Sequence, residues 1–195
     1  MNTQAIPLFP LYTVLFPQGV IPLRIFEPRY LEMISSCLKN ESGFGICLIR
    51  EGSEIGKAAD IYDTGTLCEI SYFERHPDGL LGITACGKQR FHILSKEVLS
   101  NQLIMATVEL IPNESSKPVP DSYLPAVKLL RHLMDQLAYP FLKKHHNFED
   151  ACWVSCRLAE LLPLRLEQKQ HLLQINDAQQ RLKILAGLIE ELDLS

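Results

Sequence analysis

The chain has 195 residues, 47% of them apolar and 22% charged, with a formal net charge of −4. That length fits one large domain or two small ones, and a fold of this size buries roughly 70% of its unfolded surface without needing a disulfide or a metal. Basic side chains number 9 before Asn113 and 10 after it, against 12 and 11 acidic ones. Neither half has the excess of Lys and Arg that a phosphate backbone requires, which argues against nucleic acid as a partner.

No charged residue precedes Arg24. A secretory signal needs a basic start and an unbroken apolar core of roughly 7–15 residues. A membrane helix needs about 20 apolar residues in one helix. Pro7, Pro10, Pro17 and Pro22 break the opening too often for either, because an interior proline removes a hydrogen bond and clashes with the preceding turn. The segment is expected to fold, with strands over Leu11–Phe16 and Val20–Phe26 and a tight turn at FPQG. A cytoplasmic protein with no membrane partner follows as the expectation.

Pro28 then suits the first turn of a helix, where its missing N–H costs nothing. Tyr30, Leu31, Ile34, Cys37 and Leu38 recur at the spacing of one helical face. Phe44–Ile49 reads as a short strand, and REGSEIGKAAD as a mobile loop. Strands follow in GTLCEISYFE and LLGITAC, joined by a hairpin turn at Asp78-Gly79. CGKQ is expected to turn the chain again into RFHIL, with a further strand in QLIMATVELIP. Strands joined by short turns predict a small antiparallel barrel or sandwich.

NESSKPVPDS shifts to polar residues and prolines, so a boundary is expected near Pro112–Pro120, giving a β-rich unit over 1–113 and a helical one over 118–195. Asp121 or Ser122 caps a helix carrying Tyr123, Val127, Leu130, Leu133, Met134 and Leu137, which Pro140 kinks or ends. A second helix carries Ala151, Val154, Leu158 and Leu161 and stops at Pro163. A third covers about Leu166–Ile175. In the fourth, Asp177 with Gln180 three residues on makes a capping-box pattern. Four helices with short connections predict a four-helix bundle.

Chemistry-bearing motifs are sparse. There is neither G-x-x-x-x-G-K-[ST] nor G-x-G-x-x-G for phosphates, and no G-x-S-x-G elbow for a serine hydrolase. The six cysteines, Cys37, Cys47, Cys68, Cys86, Cys152 and Cys156, sit in apolar periodic segments, where cysteine acts as a small hydrophobe. Reduced thiols are expected. His145, His146, Asp150, Cys152 and Cys156 form the most tempting metal cluster, yet the paired C-x-x-C spacings of strong zinc sites are absent, so a packed core with a solvated connection is preferred. His76 and His92 stand alone, without the positioned partner that acid–base catalysis needs. No cofactor, metal or catalytic residue is expected, and the sequence sets no oligomeric state.

The charged trio Arg24, Glu27 and Arg29 marks the corner between the second strand and the first helix. A salt-bridged corner, with Glu27 beside the positive helix end, is the simpler reading. A polar rim beside an apolar groove is the functional one.

IPLFPLYTVLFPQGVIPLRIFEPRYLEMISSCL closely resembles the opening of the Lon protease N-terminal domain, the LON substrate-binding domain. The resemblance continues in order through FGICLI, IYDTGTLCEI, DGLLGITACGKQRFHIL and RLAELLPLRLEQKQHLLQINDAQQRLKIL. Full Lon proteases carry an ATPase module and a Ser–Lys protease module after this region, and neither is found in these 195 residues. The resemblance implies an α+β protein, a β-rich PUA-like pseudo-barrel with one or two short helices followed by the helical bundle. It also implies a non-enzymatic module that binds client proteins or polypeptide segments. An apolar surface that captures exposed hydrophobic segments fits that role, and Phe26, Arg29 and Tyr30 at the corner are the candidate substrate-binding residues for it. The alternative is a PUA-like binder of RNA or a small ligand.

Overall fold

In a computed structural model, which describes residues 3–75, 77–136 and 146–192, the uncharged opening is the first strand of a sheet. That strand, β1, is Thr3–Leu11, with Pro7 and Pro10 inside it. The expected strand at Leu11–Phe16 is therefore displaced toward the N-terminus. The reason is a change of partners within β1. Thr3 to Leu8 pair with one neighbour, β7 (Ile104–Leu110), while Leu8 to Leu11 pair with another, β3 (Phe44–Glu51). Each proline falls where one side of the strand is unpaired, and there a missing donor costs no ladder bond. Val14, Leu15 and Phe16 are instead a buried connection. The expected turn forms at FPQG, with Gly19 N–H donating to Phe16 O at 2.9 Å and Gln18 at φ 63°.

The remaining strands are β2 (Val20–Ile25), β4 (Asp60–Ile61), β5 (Thr64–Arg75) and β6 (Leu81–Val98). The order β1-β7-β6-β5-β3 returns to β1 through the parallel β1–β3 pair, so these strands close on themselves. β2 pairs with β6 alone among the described strands, and β4 extends β3. LLGITAC and RFHIL are one 18-residue strand rather than two. Gly87 makes no turn there; it lies where the 16–19 connection crosses, bonding Gln18 and Gly19 main chain at 2.8 Å each. A Cβ on Gly87 would collide with Phe16 O. The hairpin at Asp78-Gly79 is present, with Gly79 at φ 84°; His76 lies outside the described residues.

Alternation along the strands fills two cores. Ile6 and Leu8 of β1, Cys47 and Ile49 of β3, and Ile104, Ala106 and Val108 of β7 share one with Phe91 and Ile93. The opposite faces, through Phe9, Leu11, Phe44 and Ile46, pack with Tyr30, Met33, Ile34 and Cys37 of the helix α1 (Pro28–Lys39). Both faces of β1 are thus buried over Leu8–Leu11, where a charge would have no solvent.

The chain divides into two units, Met1–Pro112 and Asn113–Ser195. The second holds, among its described residues, a 3-10 turn at Asp121–Tyr123 and the helices α2 (Leu124–Gln136), α3 (Ala151–Leu161), α4 (Leu166–Gln174) and α5 (Ala178–Glu191). α3 is central, packed on α2, α4 and α5, with Trp153 to Ala159 buried without interruption. Asp150 caps it by accepting the Cys152 N–H at 3.2 Å. Asp177 is the N-cap of α5 as expected, but the reciprocal capping box is not formed, and its carboxylate also takes Lys117 Nζ at 3.3 Å. A back-bond of the same kind occurs at α4, where Gln168 Oε1 accepts the Arg165 N–H at 3.0 Å. Leu137 and Pro140 lie outside the described residues. The architecture is α+β, a β-rich sheet with five α-helices among the described residues.

Candidate functional site

The corner between β2 and α1 is built on Arg29. Pro28 opens the helix with Glu27 at the N-cap, which sets Glu27 just ahead of the first turn and Arg29 within it. The Arg29 guanidinium is buried. It donates from Nη1 to Gln102 O at 2.8 Å and from Nη2 to Glu54 O at 3.4 Å, and pairs with Glu27 Oε2 at 3.1 Å. Its Cζ lies 4.5 Å from the Tyr30 ring centroid, near enough for a cation–π contact. Arg29 Nε has no hydrogen-bond partner among the described residues. The Tyr30 ring packs 4.1 Å from that of Phe9. Burial pushes the Tyr30 phenol up to about 12, against a smaller opposing pull from Arg29.

Two distant segments fold over this pair. Glu54 Oε1 accepts the Tyr12 N–H at 2.7 Å, Gly52 O accepts the Tyr12 hydroxyl at 2.6 Å, and Gly56 N–H donates to Glu27 Oε2 at 3.2 Å. Ala58 N–H reaches Gln102 Oε1 at 3.3 Å. The segment expected to be a mobile loop is therefore tied down along its length.

Of the three candidate residues, Phe26 alone offers its side chain at the surface, 52% exposed. Arg29 and Tyr30 are buried at 5% and 4% and cannot touch a partner in this conformation. Tyr12 and Ile55, 49% and 58% exposed, belong to the same neighbourhood through the bonds of Tyr12 to Gly52 and Glu54 and of Gly56 to Glu27. Sequence reasoning passed over both. The paired glycines at Gly52 and Gly56, with φ of 117° and 86°, were the available signal that this loop has a fixed shape. Arg24 faces solvent and pairs with Asp78 of the β5–β6 hairpin.

The other candidates serve structure. His146 stacks on Phe148 and Trp153, Asp150 caps α3, and His145 lies outside the described residues. Among the described residues, no group of three or more His, Cys, Asp or Glu side chains converges as metal ligands would. Cys152 and Cys156 lie against Arg181, whose Nη2 is 3.8 Å from Cys152 Sγ. The hydrogen bond between the two thiols holds Cys156 below the usual thiol range, aided by Arg181 and Arg157, and holds Cys152 above it. Arg181 itself donates to Ser155 Oγ at 3.0 Å, Ile175 O at 2.8 Å and Glu114 Oε1 at 2.6 Å, which makes it a structural hub. His92 is exposed on β6. No described helix is long and apolar enough to cross a membrane.

Comparison with known proteins agrees with the sequence resemblance. The chain is 32% identical to the Lon N-terminal domain protein of Xanthomonas campestris, whose crystal structure superposes with a TM-score of 0.80 over 94% of this chain and 98% of that one. The N-terminal domain of the Mycobacterium avium complex Lon protease shares the fold at 17% identity, with a TM-score of 0.67 over 93% of this chain and 96% of that one. The Lon protease of Buchnera aphidicola subsp. Acyrthosiphon pisum is 30% identical over 97% of this chain, which spans 25% of that protease. The family described as the ATP-dependent protease La (LON) substrate-binding domain matches residues 5–191, and the chain belongs to that family.

Proposed function

We propose that the chain binds other polypeptides through the apolar side chains exposed at the β2–α1 corner, and that it carries out no hydrolysis itself. The observation behind this reading is the grouping of Tyr12, Phe26 and Ile55, all about half exposed, around one polar-bonded corner in a substrate-binding family. Such side chains gather where an apolar segment of another chain is to be covered. Phe26 makes direct contact, while Arg29 and Tyr30 hold the corner that presents it. The match to Lon proteases covers the substrate-binding portion alone, which favours binding over catalysis. The same reading takes the closed strands over 1–113 as a PUA-like pseudo-barrel and the helices over 118–195 as a four-helix bundle, in a cytoplasmic protein whose clients expose hydrophobic segments.

Completing the burial of a half-exposed phenylalanine is worth about 1 kcal/mol, or about fivefold in affinity. A fluorescein-labelled unfolded polypeptide (reduced, carboxymethylated lactalbumin) should therefore bind saturably by anisotropy and stay intact. Phe26→Ser should weaken it by about that factor while leaving thermal stability nearly unchanged. A flat titration with the parent protein overturns the proposal, and fragments of the probe would overturn its non-hydrolytic part.

A further inference from the structure

The segment from Gly52 to Ala58 has an unusual way of being held. None of its side chains is buried, and Ile55 at its tip points to solvent. Its attachments are polar bonds to Tyr12, Glu27, Arg29 and Gln102. Gly52 and Gly56 supply left-handed φ values of 117° and 86° within it. Ala58 at its far end, half-buried against the core, is its one apolar contact among the described residues, and a segment held mainly by polar bonds is the kind that opens at low cost. What it covers is the opposite: a buried guanidinium on a buried tyrosine, with one guanidinium N–H already lacking a partner.

The bonding pattern has a recognisable form. Glu54 presents its carbonyl to Arg29 at 3.4 Å, and Gly56, two residues on, presents its amide to Glu27 at 3.2 Å. A carbonyl at one residue and an amide two residues later lie on the same edge of any extended chain, whatever its side chains. Arg29 as donor and Glu27 as acceptor thus form a pair matched to main chain, and Arg29 holds a second main-chain carbonyl in Gln102 O at 2.8 Å.

We propose that Glu27 and Arg29 form a main-chain reading site for an extended polypeptide, and that the Gly52–Ala58 segment is a displaceable strap occupying it. An incoming segment replaces the strap's carbonyl and amide with its own, so the exchange conserves hydrogen bonds, while its apolar side chains meet Phe26 and Tyr12. Recognition through main chain is blind to sequence. This inference rests on the polypeptide-binding reading above, and adds how the site is gated.

Two strap variants leave Glu27, Arg29 and Tyr30 in place. Glu54→Ala removes the acceptor of the Tyr12 amide. Gly56→Pro removes the amide given to Glu27 and cannot adopt the native positive φ. Losing one bond of this kind should release the strap and tighten binding of the same labelled lactalbumin by about three- to tenfold. In hydrogen exchange, the amides of Gly56 and Ala58 should exchange faster in Glu54→Ala, and faster in the parent protein once the probe is bound. If the parent protein binds the probe but neither variant binds more tightly, and probe binding leaves those amides protected, the strap is a structural loop and only this inference falls. If neither parent nor variants bind, the polypeptide-binding reading falls and takes this one with it.

Discussion

The two units bury arginine in different ways. In the first, Arg29 sits under loops at a corner of the strands, bonded mainly to main-chain carbonyls, with Glu27 as its one carboxylate partner. In the second, Arg157 and Arg181 lie within the helical core, each 1% exposed and each paired with a carboxylate, Glu160 at 2.8 Å and Glu114 at 2.6 Å. The difference follows from what each architecture leaves unsatisfied. A closed circuit of strands uses its main-chain groups in ladders, so spare carbonyls occur in the loops, and that is where Arg29 is found. Helices satisfy their own main chain except at the ends, and Arg181 duly takes the carbonyl of Ile175, the C-cap of α4. A cation deep among helices must otherwise be balanced by side chains. An arginine held by loop carbonyls can exchange them for another chain's; one locked in a helical core cannot. On the strap proposal Arg29 serves binding, whereas Arg157 and Arg181 serve stability.

The sharpest way to break that contrast is at Arg181. Arg181→Met keeps much of the volume but leaves Glu114 in a largely buried position without its cation, a situation that costs about 3–5 kcal/mol. Urea unfolding should show the loss, and adding Glu114→Gln should recover a large part of it. A cost below about 1 kcal/mol would mean that the ion pair behaves as a surface one and that the contrast between the units is false.

Next in size is Gly65→Ala, which probes the strands rather than the charges. An alanine Cβ there would come within 2.5 Å of Ile46 O, 2.6 Å of the Phe91 ring and 2.7 Å of Cys47 Sγ. Backbone on one side and a packed ring on the other leave little room to yield, so a loss of about 3 kcal/mol is expected, the upper part of the usual range for overpacking. Phe91→Leu in the same background should restore part of it if the ring is the obstacle. A Gly65→Ala protein as stable as the parent would show that the interior is looser than the packing around Phe91 indicates.

Much of the first unit was legible because its signals are local. Pro28 at the first helical position and the Asp78-Gly79 turn each act over a few residues and occur as read. Of the face read as Tyr30, Leu31, Ile34, Cys37 and Leu38, however, only Tyr30, Ile34 and Cys37 are buried, with Met33, while Leu31 and Leu38 are exposed. What escaped was decided by distant partners. Pro7 and Pro10 read as interruptions, yet both sit within β1, because β1 changes neighbours between them. Gly87 reads as a turn glycine, but its lack of a side chain serves a crossing by Phe16. Asp177 and Gln180 have capping-box spacing, but the reciprocal box is not formed, and Lys117 shares the carboxylate from sixty residues away. The corner itself was legible as Glu27 and Arg29, while its burial was not: the covering bonds to Glu54, Gly56 and Gln102 span 25, 29 and 73 residues, and no sequence period records them.

The smallest expected effect tests that cover through Tyr30. Its phenol is raised by burial from 10.0 to about 12, so the folded form resists ionisation that the unfolded chain undergoes freely near its ordinary value. The resulting stability is fully present below pH 10 and is lost as the pH rises toward 12, by about 2–3 kcal/mol in all. Tyr30→Phe has no proton to lose. The difference in unfolding free energy between the two proteins should therefore be flat up to about pH 9.5 and then shift in favour of Tyr30→Phe through pH 12, which isolates the contribution of this one residue. Parallel profiles would place the phenol in water and remove the cover from the corner. Burial is the largest cause of the shift and the Glu54 carboxylate a lesser one in the same direction, so Glu54→Ala should narrow the window by bringing the phenol back toward 10. Arg157 and Arg181, the buried arginines of the second unit, give no such response, because they remain charged throughout.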